Sequence, residues 1–137
     1  MSKILLRWVE DKLFTGTDSN GHSVVIGRTS DDQHHWQGVK PSELLLMAAA
    51  SCAAFDLIEI LIKQREPLIN LHIETSGDQM DEPPYSFICI HNHYVVRGAV
   101  NPQKLAKAIH LSEDKYCSVI SSLRPQVTVT SDFEIVE

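Results

Sequence analysis

The residues of this 137-residue chain best suited to chemistry are its three thiols, Cys52, Cys89 and Cys117. Their number is odd and their spacing wide, unlike a disulfide framework or paired CxxC zinc ligands, which leaves reactive or merely buried thiols as the readings. Cys52 sits in a collar of small residues, Ala48 to Ala54 (AAASCAA), that lets another backbone approach closely. Asp56 lies one turn further along the same helix face. Cys117 follows Lys115-Tyr116 and begins or adjoins a later helix, whose N-terminal dipole can favour the nucleophilic thiolate. Against this stands the bland reading of a buried cysteine as a small hydrophobe. Spacing alone does not say that Cys52 and Cys117 meet.

Other side chains have ligand chemistry. Cys89, His91 and His93 alternate along one strand and share a face, and thiolate with imidazole suits zinc or copper. A single strand rarely closes a tetrahedral site and no fourth ligand is evident, so no metal and no cofactor is assigned. His34-His35 with Trp36 either line a pocket mouth or are solvated in a polar loop. Lys115 lies two residues before Cys117 and can lower its pKa, or with Tyr116 is simply surface.

Stepping outward from the thiols, the element that must position Cys52 is a helix from Pro41 to Gln64. Twelve consecutive residues between Glu43 and Asp56 carry no charge. A helix apolar all round must be covered by sheet, other helices or a second subunit. Pro41 suits the first turn and Glu43 the positive end of the dipole, whereas Lys63 and Arg65 balance the other end and Pro67 stops it. The apolar run falls short of the about 20 residues a membrane span needs.

Before it, Ile4 to Glu10, Lys12 to Thr17 and His22 to Ile26 read as short antiparallel strands around the turn Asp18-Ser19-Asn20-Gly21, and Gly27 to Val39 as a polar loop. After it come a strand over Leu68 to Ser76, an acidic turn with two prolines, and a long strand over Tyr85 to Val96 that closes a hairpin. A helix then starts at Pro102 with Asn101 as its cap, burying Leu105, Ala108, Ile109 and Ser112 on one face. A short helix over Tyr116 to Leu123 carries Cys117, and Val127 to Val136 is the last strand. Strands, helix, strands, helices, strand is an α+β order in one domain, 1–137. So few elements cover a fully apolar helix poorly, and a homodimer would solve this.

Composition bounds the partners. With 43% hydrophobic and 22% charged residues the chain is an ordinary globular domain, and a net charge of −6 argues against a nucleic-acid binder. No secretory signal is recognised at the N-terminus, so no membrane association and a reducing cytoplasm are the expectation.

Two motifs, P-x-E-L-L-L-x-A-x-x-x-C-x-x-x-D over Pro41 to Asp56 and L-S-E-x-K-Y-C over Leu111 to Cys117, resemble the OsmC/Ohr family of thiol-dependent hydroperoxide reductases. The leucine-rich first motif is more similar to the YhfA-like branch than to Ohr itself. The resemblance implies an OsmC-like fold, with antiparallel sheets around a long buried central helix, in an intertwined homodimer with sites near the subunit interface. It also implies that Cys52 is the peroxidatic thiol and Cys117 the resolving one. Attack on an organic hydroperoxide releases an alcohol and leaves a sulfenic acid, which Cys117 converts to a disulfide. An external dithiol, often a lipoylated protein in the family, restores both thiols in oxidative or osmotic stress defence.

The family pattern also uses a glutamate and an arginine to polarise thiolate and peroxide. Glu43 is the candidate carboxylate, one position later than in Ohr-type sequences, where this chain has Ser42. Nine residues at about 100° each set it on the far side of a continuous helix from Cys52, so it would act if the helix starts after it or from the partner subunit. Arg28, or else Arg7, is the candidate arginine. Asp56 either raises the Cys52 pKa or holds a nearby donor in the substrate site. A non-catalytic OsmC-like scaffold binding an apolar ligand in the dimer groove is the alternative.

Overall fold

β-branched and aromatic residues at the N-terminus form an antiparallel meander of Leu5–Glu10 (β1), Lys12–Thr17 (β2) and Ser23–Arg28 (β3), in that order across the sheet. The computed structural model describes residues 2–30 and 35–137; His34 of the loop motif lies outside them. Between β2 and β3 the Asp18 carboxylate accepts the N–H groups of Asn20 and His22 at 2.9 and 2.8 Å, which closes the expected turn. Val39 then bridges back beside Ile26 in parallel, its N–H donating to Val25 O at 2.9 Å. This close return requires two glycines. Gly27 has φ +92, and a Cβ on Gly38 would stand 2.5 Å from the Val25 carbonyl.

The helix α1 runs from Pro41–Lys63, one residue short of its expected end. Arg65 takes the left-handed conformation (φ 56) that usually goes to glycine at this position, and the N–H of Glu66 closes on Leu61 O at 2.9 Å. By length and composition alone α1 is long and apolar enough to cross a bilayer, contrary to the count made on its uncharged run. Its packing is that of a core helix on one face only. Ala49, Ala53, Leu57 and Leu61 are fully buried, whereas Met47, Phe55 and Ile62 are 54%, 78% and 65% exposed. The expectation of cover on every side is therefore not met within one chain.

Two compact units divide the chain, Met1–Leu45 and Leu46–Glu137. The first holds β1 to β3, and every residue of β1 is exposed. In the second, Asn70–Gln79 (β4) and Phe87–Arg97 (β5) form the expected antiparallel hairpin. Thr128–Val136 (β6) lies parallel to β5, so this sheet is mixed rather than antiparallel. The reason is the crossover between them, Pro102–Leu111 (α2), a π-helical turn Ser112–Tyr116 and Ser118–Leu123 (α3), which carries the chain back to its starting edge. Asn101 caps α2 through Lys104 N–H as its sequence predicts. Leu57 and Leu61 pack with Tyr94 and Val96 of β5 and with Leu105, Ala108 and Ile109 of α2. A second cluster joins Ala49 and Ala53 to Cys117 and Ile120.

Candidate active site

The small-residue collar of α1 permits the close packing seen at Cys52. Ala49 and Ala53, one turn apart, are covered by Cys117 and Ile120, and half-buried Cys52 packs against the edge of this cluster. Cys117 adjoins a later helix, as expected, at the cap position between the π-helical turn and α3 and in extended conformation, so that the helix starts at Ser118 rather than at Tyr116. The π-turn is what puts it there: the Cys117 N–H donates to Ser112 O at 2.8 Å across five residues. Its Sγ accepts the Ile120 N–H at 3.4 Å, as a serine would in the same cap position, and Cys117 is 1% exposed.

The structure thus brings together two cysteines 65 positions apart in sequence, both as free thiols. Their electrostatics are opposite. Burial raises Cys52, but the N–H of Val119, the Cys117 thiol and the hydroxyl and N–H of Ser118 all favour the thiolate, and the net shift is downward. Ser118 Oγ stands 3.8 Å from Cys52 Sγ. For Cys117 burial dominates, the Ile120 N–H opposes it, the Cys52 neighbour adds to it, and the thiol is pushed up to about 11. Cys52 is therefore the thiol that ionises first, with Cys117 held protonated beside it. A nucleophilic sulfur next to a protonated second sulfur can undergo oxidation followed by disulfide closure.

The remaining candidates lie elsewhere. Asp56 is half-buried in a cleft of about 340 Å³ with Glu59, Lys63, Leu111 and Tyr116. The groups that bond to Cys52 come from residues 117–119 rather than from Asp56. Glu43 is exposed in the first turn of α1, and because α1 starts at Pro41, ahead of it, the helical period sets it on the opposite side from Cys52. The option of a helix starting after Glu43 is thereby removed. Arg28 lies in the first unit, its guanidinium 5.2 Å from the Trp36 ring, which Lys40 approaches at the same distance. These three residues adjoin or line a cleft of about 320 Å³ whose walls include Lys12, Phe14 and Ile26.

Cys89, His91 and His93 share the outward face of β5 as expected, but their polar atoms are bonded to neighbouring side chains. Cys89 donates to Asp78, His91 contacts Thr130 and Asp132 at 2.8 and 2.9 Å, and His93 contacts Asp132 at 2.7 Å. Among the described residues no group of three or more His, Cys, Asp or Glu is arranged to hold a metal ion. What the sequence reading missed is the Ser118–Val119 donor pair and a buried acid, Glu113. The signal for both was at hand, since Glu113 belongs to the quoted second motif and Ser118 follows it directly.

Comparison with known proteins shows what the chain is similar to. Residues 31–132 match the family described as OsmC-like protein. Protein YhfA of Escherichia coli K12 is 33% identical over 132 residues, 96% of each chain. The OsmC-like protein of Mycoplasma pneumoniae superposes with a TM-score of 0.85 at 15% identity, covering 100% of this chain and 98% of its own. The organic hydroperoxide resistance protein OhrB of Bacillus subtilis does so with 0.67 at 19% identity, covering 98% of each.

Proposed function

Because the chain belongs to the OsmC-like protein family and has its α+β fold, we propose that it reduces organic hydroperoxides with its two packed cysteines. The observation that carries the proposal is the opposed polarisation of Cys52 and Cys117 within one cluster. The name of the Bacillus subtilis neighbour, an organic hydroperoxide resistance protein, supports the substrate class. The Cys52 thiolate attacks the outer peroxide oxygen, the O–O bond breaks, and the alkoxide leaves as an alcohol after taking a proton. Cys52 is now a sulfenic acid. The Cys117 sulfur displaces its oxygen to form the disulfide, with loss of water, and an external dithiol, such as a lipoyl group on a carrier protein, reduces that bond by exchange. The cycle requires a reducing compartment, as the cytoplasm provides.

A homodimer belongs to this proposal. The exposed Met47, Phe55, Ile58 and Ile62 of α1 and Ile4, Leu5, Leu6, Trp8 and Val9 around β1 are the surfaces a second copy would cover. In that dimer Glu43 of the second copy and an arginine, Arg28, are assigned to orient thiolate and peroxide, with Asp56 toward the substrate. Treatment with cumene hydroperoxide should remove two of the three free thiols per chain, with Cys89 retained. Full turnover by a Cys52→Ser variant would contradict the proposal. Unchanged thiols at peroxide excess would favour the apolar-ligand reading, for which the cleft of about 320 Å³ lined by Ile4, Leu6, Val24, Ile26 and Leu44 is the specific observation.

A further inference from the structure

The outward face of β5 and β6 carries a row of polar side chains that the two-cysteine cycle does not use. The parallel register sets His91 beside Thr130 and His93 beside Asp132. Alternate residues of a strand share a face, so Thr130, Asp132 and Glu134 stand in line along β6. With the two histidines they form one unbroken chain. Thr130 Oγ1 meets His91 Nδ1 at 2.8 Å, and His91 Nε2 meets Asp132 Oδ1 at 2.9 Å. The same Asp132 oxygen meets His93 Nδ1 at 2.7 Å, and His93 Nε2 meets Glu134 Oε1 at 3.4 Å.

The two histidines are not equivalent in this chain. A neutral imidazole carries one N–H, and its other nitrogen can only accept. His91 meets both partners with a single N–H, given to Asp132, because the Thr130 hydroxyl can donate to the second nitrogen. His93 has no such choice. Both its nitrogens face carboxylates, which only accept when ionised, so both contacts are hydrogen bonds in the imidazolium alone. In the neutral ring one lone pair is turned on a carboxylate. Asp132 and Glu134, two residues apart on one strand face, then lose the cation between them. What these contacts hold is the edge of a sheet, since the strand order is β4-β5-β6. The inner side of β6 lays Val129 on the cluster of Ala49, Ala53, Cys117 and Ile120, and Phe133 and Ile135 on that of Leu57 and Leu61. We propose that His93 is a proton-operated latch: charged, it fastens β6 to β5 through Asp132 and Glu134, and neutral, it loosens the strand that covers the Cys117 cluster.

The titratable and charged groups around His93 come from all three strands. From β6, Asp132 and then Glu134 raise it above the ordinary histidine value, and desolvation opposes them. From β4, Glu74 stands across from His93 in register and contacts His72 at 3.8 Å, while Asp78, across from Cys89, accepts that thiol. On the same face of β5 itself are Cys89, His91 and, beyond Val95, Arg97. The helices meet these strands from the other side, through Tyr94 and Val96. Because the folded value of His93 lies above the unfolded one, its contribution is complete below the unfolded value and is lost as pH rises through the folded value. The latch therefore opens on the alkaline side, where Cys52 is also ionised.

Two readouts on the full chain test the latch, and neither depends on peroxide chemistry. Long-range proton–nitrogen NMR spectra of the imidazole rings, assigned with His93→Gln, should show His93 as the imidazolium at neutral pH, with a titration midpoint above that of an exposed histidine. Glu134→Gln removes one of its two carboxylates and should move this midpoint down. Should His93→Gln not fold, the resonance displaced by the exposed Glu134→Gln substitution identifies the ring. Hydrogen exchange, corrected for the intrinsic pH dependence of amides, should show protection along β6 falling by about threefold or more as His93 loses its proton, while α2 keeps its own. In Glu134→Gln the fall should be smaller and begin at lower pH. A neutral His93 ring at neutral pH, a midpoint that Glu134→Gln leaves in place, or β6 protection that stays level or falls together with that of α2 would overturn the proposal.

Discussion

At the scale of single residues, the asymmetry between two like side chains decides what each can do. Cys52 is half-buried and receives donors from Ser118 and Val119, whereas Cys117 is enclosed and held at about 11. Alkylation by iodoacetamide follows the thiolate, so the rate at Cys52 should rise with pH at a midpoint below that of an ordinary cysteine and below that of Cys117. Ser118→Ala removes one donor and should move this midpoint upward, lowering reactivity at neutral pH by a few-fold; an unchanged profile would show that the backbone N–H groups suffice. Both thiols were legible in the sequence from their motifs. Their relation was not, because the donors to Cys52 come from residues 66 and 67 positions away, and a pKa difference depends on distances that spacing does not encode.

At the scale of elements, α1 and the π-helical turn share the work. The collar works by absence of volume: Ala53 is fully buried against the Cys117 cluster. Ala53→Leu should therefore destabilise the fold by about 1–3 kcal/mol through overpacking, read from denaturant unfolding, and should also separate the two sulfurs and slow disulfide closure. Leu57→Ala, in the other cluster, should cost about 2–5 kcal/mol while leaving the cysteine pair in place. Glu113 makes the π-turn pH-sensitive. Its folded pKa is raised by burial, so its contribution to stability is complete below the unfolded pKa and is lost as pH rises through the folded one. Unfolding measured across this range should be less pH-dependent in Glu113→Gln than in the wild type. Helix ends, hairpin and caps were readable from Pro41, Arg65, Pro67 and Asn101. The parallel pairing of β6 and the extra residue of the π-turn were not, since both depend on how the crossover packs rather than on local propensity.

At the scale of the molecule, the surface left apolar by one chain asks for cover. Phe55 is 78% and Trp8 69% exposed, more than side chains of this size and polarity ordinarily show in such a concentration. Phe55→Asp should shift the protein from dimer to monomer in sedimentation or light scattering, and a wild-type chain that is monomeric at micromolar concentration would contradict the dimer. That α1 calls for cover was visible in its uncharged run, but which face remains open was fixed only by the packing of Leu57 and Leu61 on β5 and α2. The central claim is that Cys52 is oxidised first and Cys117 resolves it. Intact mass after one equivalent of cumene hydroperoxide tests it most directly in Cys117→Ser and Cys52→Ser variants compared side by side. The account predicts gain of one oxygen, trappable by dimedone at Cys52, in Cys117→Ser and no change in Cys52→Ser. Oxygen gain in Cys52→Ser, or none in either, would contradict it.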